Sequence, residues 1–336
     1  MRYKLLLILF GIILIAGFTA IYTRNTETEK TNNINMKIGW QTPWAVQGQL
    51  TQILKHTDIL GNENISAEFK GFTFGAPLNE AALSGHVDVI FTADQPAATL
   101  LSKSSDWEII GRLMYNRVSV YVPPQSPIKT AADLRGMTVA MPFGAAAQRY
   151  AYKIQQDSGL NPATDVNNIN LDILEQASLV NDKNAVKWGN IDALAGFDPT
   201  PAIFEEKGLS RNIGVGHVVS VILMSKSYIA SNPDAPEKFL KAFESSYAYY
   251  KNNQAQADDW FIKESKLQLS PKALQLSASL EPNLKKDNEI RISFNDSDYK
   301  IMQEAANFLY SQKLINKQVN MKEHVNLNYL NKIKGE

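Results

Sequence analysis

The stretch GHVDVIFTADQPAATLL, residues 85–101, decides how the chain is read. Its VDVIFT portion, residues 87–92, is a short β-rich run, suited to a strand covered on both faces. Asp94 and Pro96 then open a helical pattern over residues 94–102, with the proline in the first turn, where its missing N–H costs little. Upstream, residues 78–84 read as a short helix ending near Gly85, a suitable C-cap. Helix, buried strand and helix in series are βα logic, which predicts an α/β fold with a mainly parallel sheet.

The same rhythm extends outward. Strands are expected at residues 36–40, 65–70, 118–122, 138–141, 171–174, 193–196 and 218–224. Helices are expected at 47–56, 131–134, 145–158, 179–188 and 201–207. After Ser225 the character turns helical, at 236–251, 255–264, 271–279 and 296–312. There is no internal repeat and no low-complexity tract. A doubly wound sheet takes its ligand at the carboxyl ends of its strands. That directs attention to the loops at residues 41–48, 71–77, 93–96, 142–148 and 197–201.

Composition narrows the function. A chain of 336 residues exceeds one ordinary core and suits two lobes. Its 34 basic residues balance 34 acidic ones, so no basic excess points to nucleic acid. Cysteine is absent, which removes disulfides, thiolate chemistry and Cys-ligated metals, and also a lipid-attachment cysteine. The four histidines, His56, His86, His217 and His324, fall in no metal-binding spacing, so neither a metal nor a cofactor is expected. Arg2 and Lys4 precede an uncharged run over residues 5–22, which reads as a secretory signal or an uncleaved inner-membrane anchor. A polar linker at residues 23–35 comes next.

Four segments carry a resemblance. Residues 85–101 combine a G-x-x-D-V strand with a D-x-P-A turn. Residues 126–152, SPIKTAADLRGMTVAMPFGAAAQRYAY, follow S-P-I-x-x-x-x-D-L-x-G-x-x-V-A and a small-residue helix start. Residues 191–208 contain D-A-x-x-x-F-D-P, and residues 228–253 contain N-P-x-x-x-x-x-F-x-x-A-F. In this order they resemble the nitrate/sulfonate/taurine group of ABC-transporter solute-binding proteins, over residues 36 to about 253. The resemblance implies a type II periplasmic-binding-protein fold, two doubly wound lobes joined by two crossovers. Lobe one would be 36–122 with 223–336, and lobe two 123–222. It implies a non-enzymatic protein in the periplasm or on the outer face of the cytoplasmic membrane. That protein would hand a small solute to an ABC permease and its ATPase. One departure bears on the ligand: Ala145, Ala146 and Ala147 stand where relatives carry hydroxyls, and Gln148 stands where histidine is common.

The candidate ligand residues come from the loops. Gly144, Ala145 and Ala146 open a helix, whose first N–H groups have no internal partner and sit at the positive dipole end. Small side chains there let oxygens approach, though the same residues also make an ordinary tight turn. Asp94 and Asp198 each precede a helix, as caps or as carboxylates for a ligand N–H. Trp44, Phe143 and Phe197 are placed to wall a ligand or to fill lobe packing. Gln41, Gln95 and Gln148 can both donate and accept. Arg149, a turn into its helix, reads as a surface residue. Two other functions remain open: a membrane-tethered sensory or accessory binding protein, and a metal-dependent pyrimidine-precursor enzyme of the same fold.

The leading segment makes a prediction. Protease added to spheroplasts should digest the body of the protein along with a periplasmic control. Full protection, while that control is cut, would contradict export.

Overall fold

The computed structural model describes residues 33–265 and 268–334. The apolar run at residues 5–22 and most of the linker lie outside the described residues. Among the described residues no helix is long and apolar enough to cross a membrane. The chain divides between Ile34 and Asn35, and the strands and helices of the fold belong essentially to the unit Asn35–Glu336.

Eight strands form one sheet: β1 (Ile34–Gln41), β2 (Ile65–Phe72), β3 (Val89–Ala93), β4 (Trp107–Val122), β5 (Thr138–Met141), β6 (Asn167–Asn170), β7 (Ala193–Phe197) and β8 (Arg211–Ser225). Their order across the sheet is β2-β1-β3-β8-β4-β7-β5-β6. The expected parallel pairing is present on each side of the centre, where β1 pairs with β3, and β5 with β6 and β7. The centre corrects it. There β3–β8, β8–β4 and β4–β7 all run antiparallel. The two central strands pair along their whole length, from Trp107 opposite Ser225 to Val122 opposite Arg211. The β1–β3 side adjoins the residue-225 end of β8, and β7 adjoins the residue-122 end of β4.

The expected strands 118–122 and 218–224 are therefore only the ends of these two. The reason is in the side chains. Residues 107–116 include Glu108, Gly111 and Arg112, which break a strand-like alternation. Arg112 is nonetheless fully buried, because Glu281 grips it through two hydrogen bonds of 2.8 and 2.9 Å. In β8 the obscuring residues are Gly214 and Gly216. A Cβ on Gly216 would stand 2.4 Å from the Tyr150 ring, so close packing excludes a better strand former.

The helices are α1 (Gln47–His56), α2 (Ile59–Asn62), α3 (Gly75–Leu83), α4 (Asp94–Lys103), α5 (Ala146–Asp157), α6 (Ile173–Leu179) and α7 (Thr200–Glu206). Then come α8 (Lys226–Ser231), α9 (Ala235–Asn252), α10 (Gln254–Ser265), α11 (Pro271–Ala278), α12 (Asp296–Ser311) and α13 (Asn328–Lys334). Most agree with the sequence expectations to within a few residues. The region 167–188 does not: the strand there is β6, at Asn167–Asn170, α6 begins inside the strand expected at 171–174, and residues 180–188, expected to be helical, carry no helix. A capping box explains the shift. Asp172 accepts from the Leu174 N–H at 2.8 Å, and Glu175 accepts from the Asp172 N–H at 3.1 Å, so the helix begins there.

Each side of the sheet has its own apolar cluster. One gathers Leu78, Ile90, Leu101, Leu223 and Met302 beneath α3, α4 and α12. The other gathers Tyr121, Ala140, Trp188, Leu194 and Phe204 near α7. Only β4 and β8 belong to both sides, so these two strands set where the sides meet.

Candidate functional site

A cavity of about 630 Å³ opens where the two sides meet. It is lined from the carboxyl ends of β1, β2, β3, β5, β6 and β7 and the turns beyond them. All five loops singled out in the sequence contribute. The sixth, residues 170–174, escaped because its capping box was read as part of a strand.

Seven of the expected residues line this cavity: Gln41, Trp44, Phe143, Gly144, Ala145, Ala146 and Phe197. Trp44 follows β1 and Phe197 ends β7, on opposite sides of the sheet. Their rings stack at 4.8 Å between centroids, 26° apart. Between Trp44 and α1, Val46 holds φ at 65°, in the left-handed region that a β-branched residue avoids. Its N–H donates to Gln49 Oε1 at 2.6 Å, which fixes that bend. Nothing in the sequence marked this strained residue, although such outliers cluster at functional sites.

The α5 turn is narrower as a donor site than its sequence suggested. Gly144 takes φ 78°, a conformation that suits glycine. Its N–H donates to Gln148 Oε1 at 2.8 Å, and its carbonyl accepts from Gln95 Nε2. The Ala145 N–H leans weakly on Pro142 O at 3.4 Å. The Ala146 N–H, first in the helix, finds no acceptor among the described residues. So Gln95 and Gln148 shape the turn, and neither lines the cavity.

The two aspartates also turn away. Asp94 is fully buried and pairs with Arg149, Nη2 to Oδ2 at 2.6 Å. Arg149 is therefore no surface residue: it is 9% exposed, and its Nη1 also donates to Ile301 O at 3.3 Å. A long cation cannot be recognised as buried when its acidic partner is 55 residues away in sequence. Asp198 pairs with Arg117, Nε to Oδ2 at 2.6 Å, and its Oδ1 caps α7 by accepting from the Ala202 N–H at 3.2 Å. Burial pushes the Asp198 carboxyl up to about 6, with Arg117 pulling the other way. Burial likewise raises Asp94 against the opposing charge of Arg149. Both carboxylates are paired with arginines, and neither lines the cavity. Among the described residues no group of three or more His, Asp and Glu is placed to hold a metal ion.

Three contacts thus join the walls across the cavity: Asp94–Arg149, Gln95–Gly144 and Trp44–Phe197. Known proteins share this α/β layout. The sequence profile of the NMT1/THI5-like family matches residues 76–257, more than half of the chain. The chain belongs to the NMT1/THI5-like family. This member is 24% identical over 243 residues to YtlA of Bacillus subtilis (strain 168), provisionally named a binding protein, covering 63% of this chain and 69% of that one. Its fold is that of the periplasmic binding proteins. It matches the periplasmic aliphatic sulphonate binding protein SsuA of Escherichia coli with a TM-score of 0.73, at 21% identity over 86% of this chain and 91% of that one. It also matches DszB, a desulfurization enzyme solved as a cysteine-to-serine mutant with biphenyl-2-sulfinic acid. There the TM-score is 0.68 at 12% identity, over 90% of this chain and 99% of that one.

The Asp94–Arg149 pair yields a prediction. Removing one partner of a buried pair leaves an uncompensated charge, at a cost of about 3–5 kcal/mol. Arg149→Met should lower unfolding stability by that order in denaturant titration. The double variant Asp94→Asn/Arg149→Met should recover much of the loss. An Arg149→Met change below about 0.5 kcal/mol, the level of an ordinary surface substitution, would contradict the buried pair.

Proposed function

We propose that this chain is the solute-binding component of an ABC importer, working outside the cytoplasm and catalysing nothing. Residues 36–122 with 223–336 form one lobe and residues 123–222 the other, with β4 and β8 as the crossovers. A small polar or anionic solute of the sulfonate, taurine or nitrate kind enters the cavity. The closed form then presents it to a permease with its ATPase. The observation that carries this reading is the cavity itself, walled by strand ends from both sides of one sheet and bridged by direct contacts. A solute touching both walls favours the closed form by its differential affinity.

Two further points support it. The family and the Escherichia coli sulphonate-binding protein share the fold. The residue types argue against covalent or metal chemistry, since the chain contains no cysteine and no histidine lines the cavity among the described residues. On the α5 side the acceptor group of the solute meets the Ala146 N–H and the positive end of a 12-residue helix.

A thermal-shift screen over sulfonates, carboxylates, nitrate and pyrimidines tests the proposal. A solute at 100 times its Kd adds about 2.7 kcal/mol, a shift of a few degrees for a protein of this size. Ala146→Pro should then weaken that solute about tenfold to a hundredfold, by removing one N–H to a charged acceptor. The fold should tolerate the proline, because Ala146 is the first helical residue and Ala145 before it is extended at φ −93°, ψ 165°. No shift with any compound would contradict solute binding. Wild-type affinity in Ala146→Pro would remove the α5 turn from the site.

A further inference from the structure

The cavity has a second donor-rich corner, opposite the α5 turn. Gln41 ends β1 and is only 1% exposed. Its backbone N–H donates to Gln47 Oε1 at 2.7 Å, and its own Oε1 accepts from Thr92 Oγ1 at 3.4 Å. Its Nε2 finds no acceptor among the described residues, yet it borders the cavity, 3.8 Å from where a Cβ on Gly75 would sit. Gly75 opens α3, a nine-residue helix with no capping side chain and no acidic residue in its first turn. A side chain at Gly75 is excluded, because its Cβ would lie 2.5 Å from Pro96 Cβ. A buried side-chain amide and the positive end of a helix therefore converge on one place, and a buried donor left without an acceptor is costly.

This corner and the α5 turn flank the same two residues. Pro96 lies against Gly75, and Gln95 donates to Gly144 O. Thr42, Thr73, Asn79, Thr99, Asn170, Asp172 and Ser265 add polar atoms to the lining, but most of its remaining surface is apolar. Trp44 and Phe197 are stacked, while Phe74, Phe143 and Leu174 stand 53%, 46% and 59% exposed around the same cavity. Among the described residues no lysine, arginine or histidine lines it, and the one lining carboxylate, Asp172, caps α6. Asp94 and Asp198 are paired with arginines and do not line the cavity. A volume of about 630 Å³ falls in the range that houses ring-bearing ligands.

Resting on the solute-binding reading above, we infer that the solute is an aryl oxyacid, its ring system lying along Trp44 and Phe197 and its oxygens held between Gln41 Nε2 with the α3 N-terminus and the Ala146 N–H. The head is a carboxylate or a sulfonate, which share acceptor-only chemistry. Gln41 is then the residue that selects an acceptor head without supplying a charge.

Isothermal titration of the full-length chain with naphthalene-2-sulfonate, 2-naphthoate, taurine and sodium nitrate tests this, the first two probes separating the two heads. At least one aryl probe should bind about tenfold or more tightly than taurine and nitrate, as expected when an apolar body is buried. Gln41→Met should lower the affinity of that probe about tenfold to a hundredfold, with the ligand-free unfolding midpoint little changed. Taurine or nitrate binding as tightly as both aryl probes, or neither aryl probe binding, overturns the inference. The solute-binding reading stands in either case if any compound of the wider screen shifts the transition. Wild-type affinity in a folded Gln41→Met also overturns it. Should that variant fail to fold, the order of the four probes on the unmodified chain decides.

Discussion

The structure depends on the antiparallel pairing of β4 with β8. These strands, of 16 and 15 residues, run through both sides of the sheet and are its only shared members. Every other strand belongs to one side. Because β1 and β3 on one side, and β5, β6 and β7 on the other, all direct their carboxyl ends to the same cavity, the site exists only while β4 and β8 hold the sides in register. The pairing is fastened by a charged anchor. Arg112 of β4 is held in the interior because Glu281 accepts from it twice and also receives the Tyr115 N–H at 2.7 Å. The C-terminal helices are tied to the central strands through that contact.

Charge inside the molecule is used for holding, not for binding. Asp94, Asp198, Arg117 and Arg149 are all at or next to the strand ends where a ligand would be sought, and all are engaged with one another. An ion pair removed from water needs close geometry to offset its desolvation, and both pairs have it at 2.6 Å. Apart from the Asp172 carboxylate that caps α6, what remains for a solute is uncharged: two helix N-termini, the Gln41 amide and aromatic faces. Such a lining favours an acceptor head on an apolar body over a strongly hydrated zwitterion.

Much of the architecture was legible in the chain itself. The run at residues 87–92 and the Pro-opened helix after it established the βα rhythm, and the small-residue turn at Gly144 marked the cavity. What was not legible shares one physical cause. Arg112, Asp94, Arg149 and Asp198 are charged residues whose burial depends on partners 55 to 169 positions away in sequence. Local patterning reads each as a surface or ligand-facing group. Gln41 was recognised as a hydrogen-bonding residue, but only the approach of Gly75 shows why its amide faces the cavity.

The central claim is that the two sides close over a solute by bending about β4 and β8. The absence of cysteine makes it directly measurable, since two introduced cysteines are then unique labelling sites. Spin labels at Glu80→Cys on α3 and Ser178→Cys on α6 report the distance between the sides by electron–electron double resonance. The account predicts a longer, broader distance distribution without solute and a single shorter one at saturation. One unchanged distribution in both conditions, with binding confirmed by calorimetry on the same labelled protein, would contradict it.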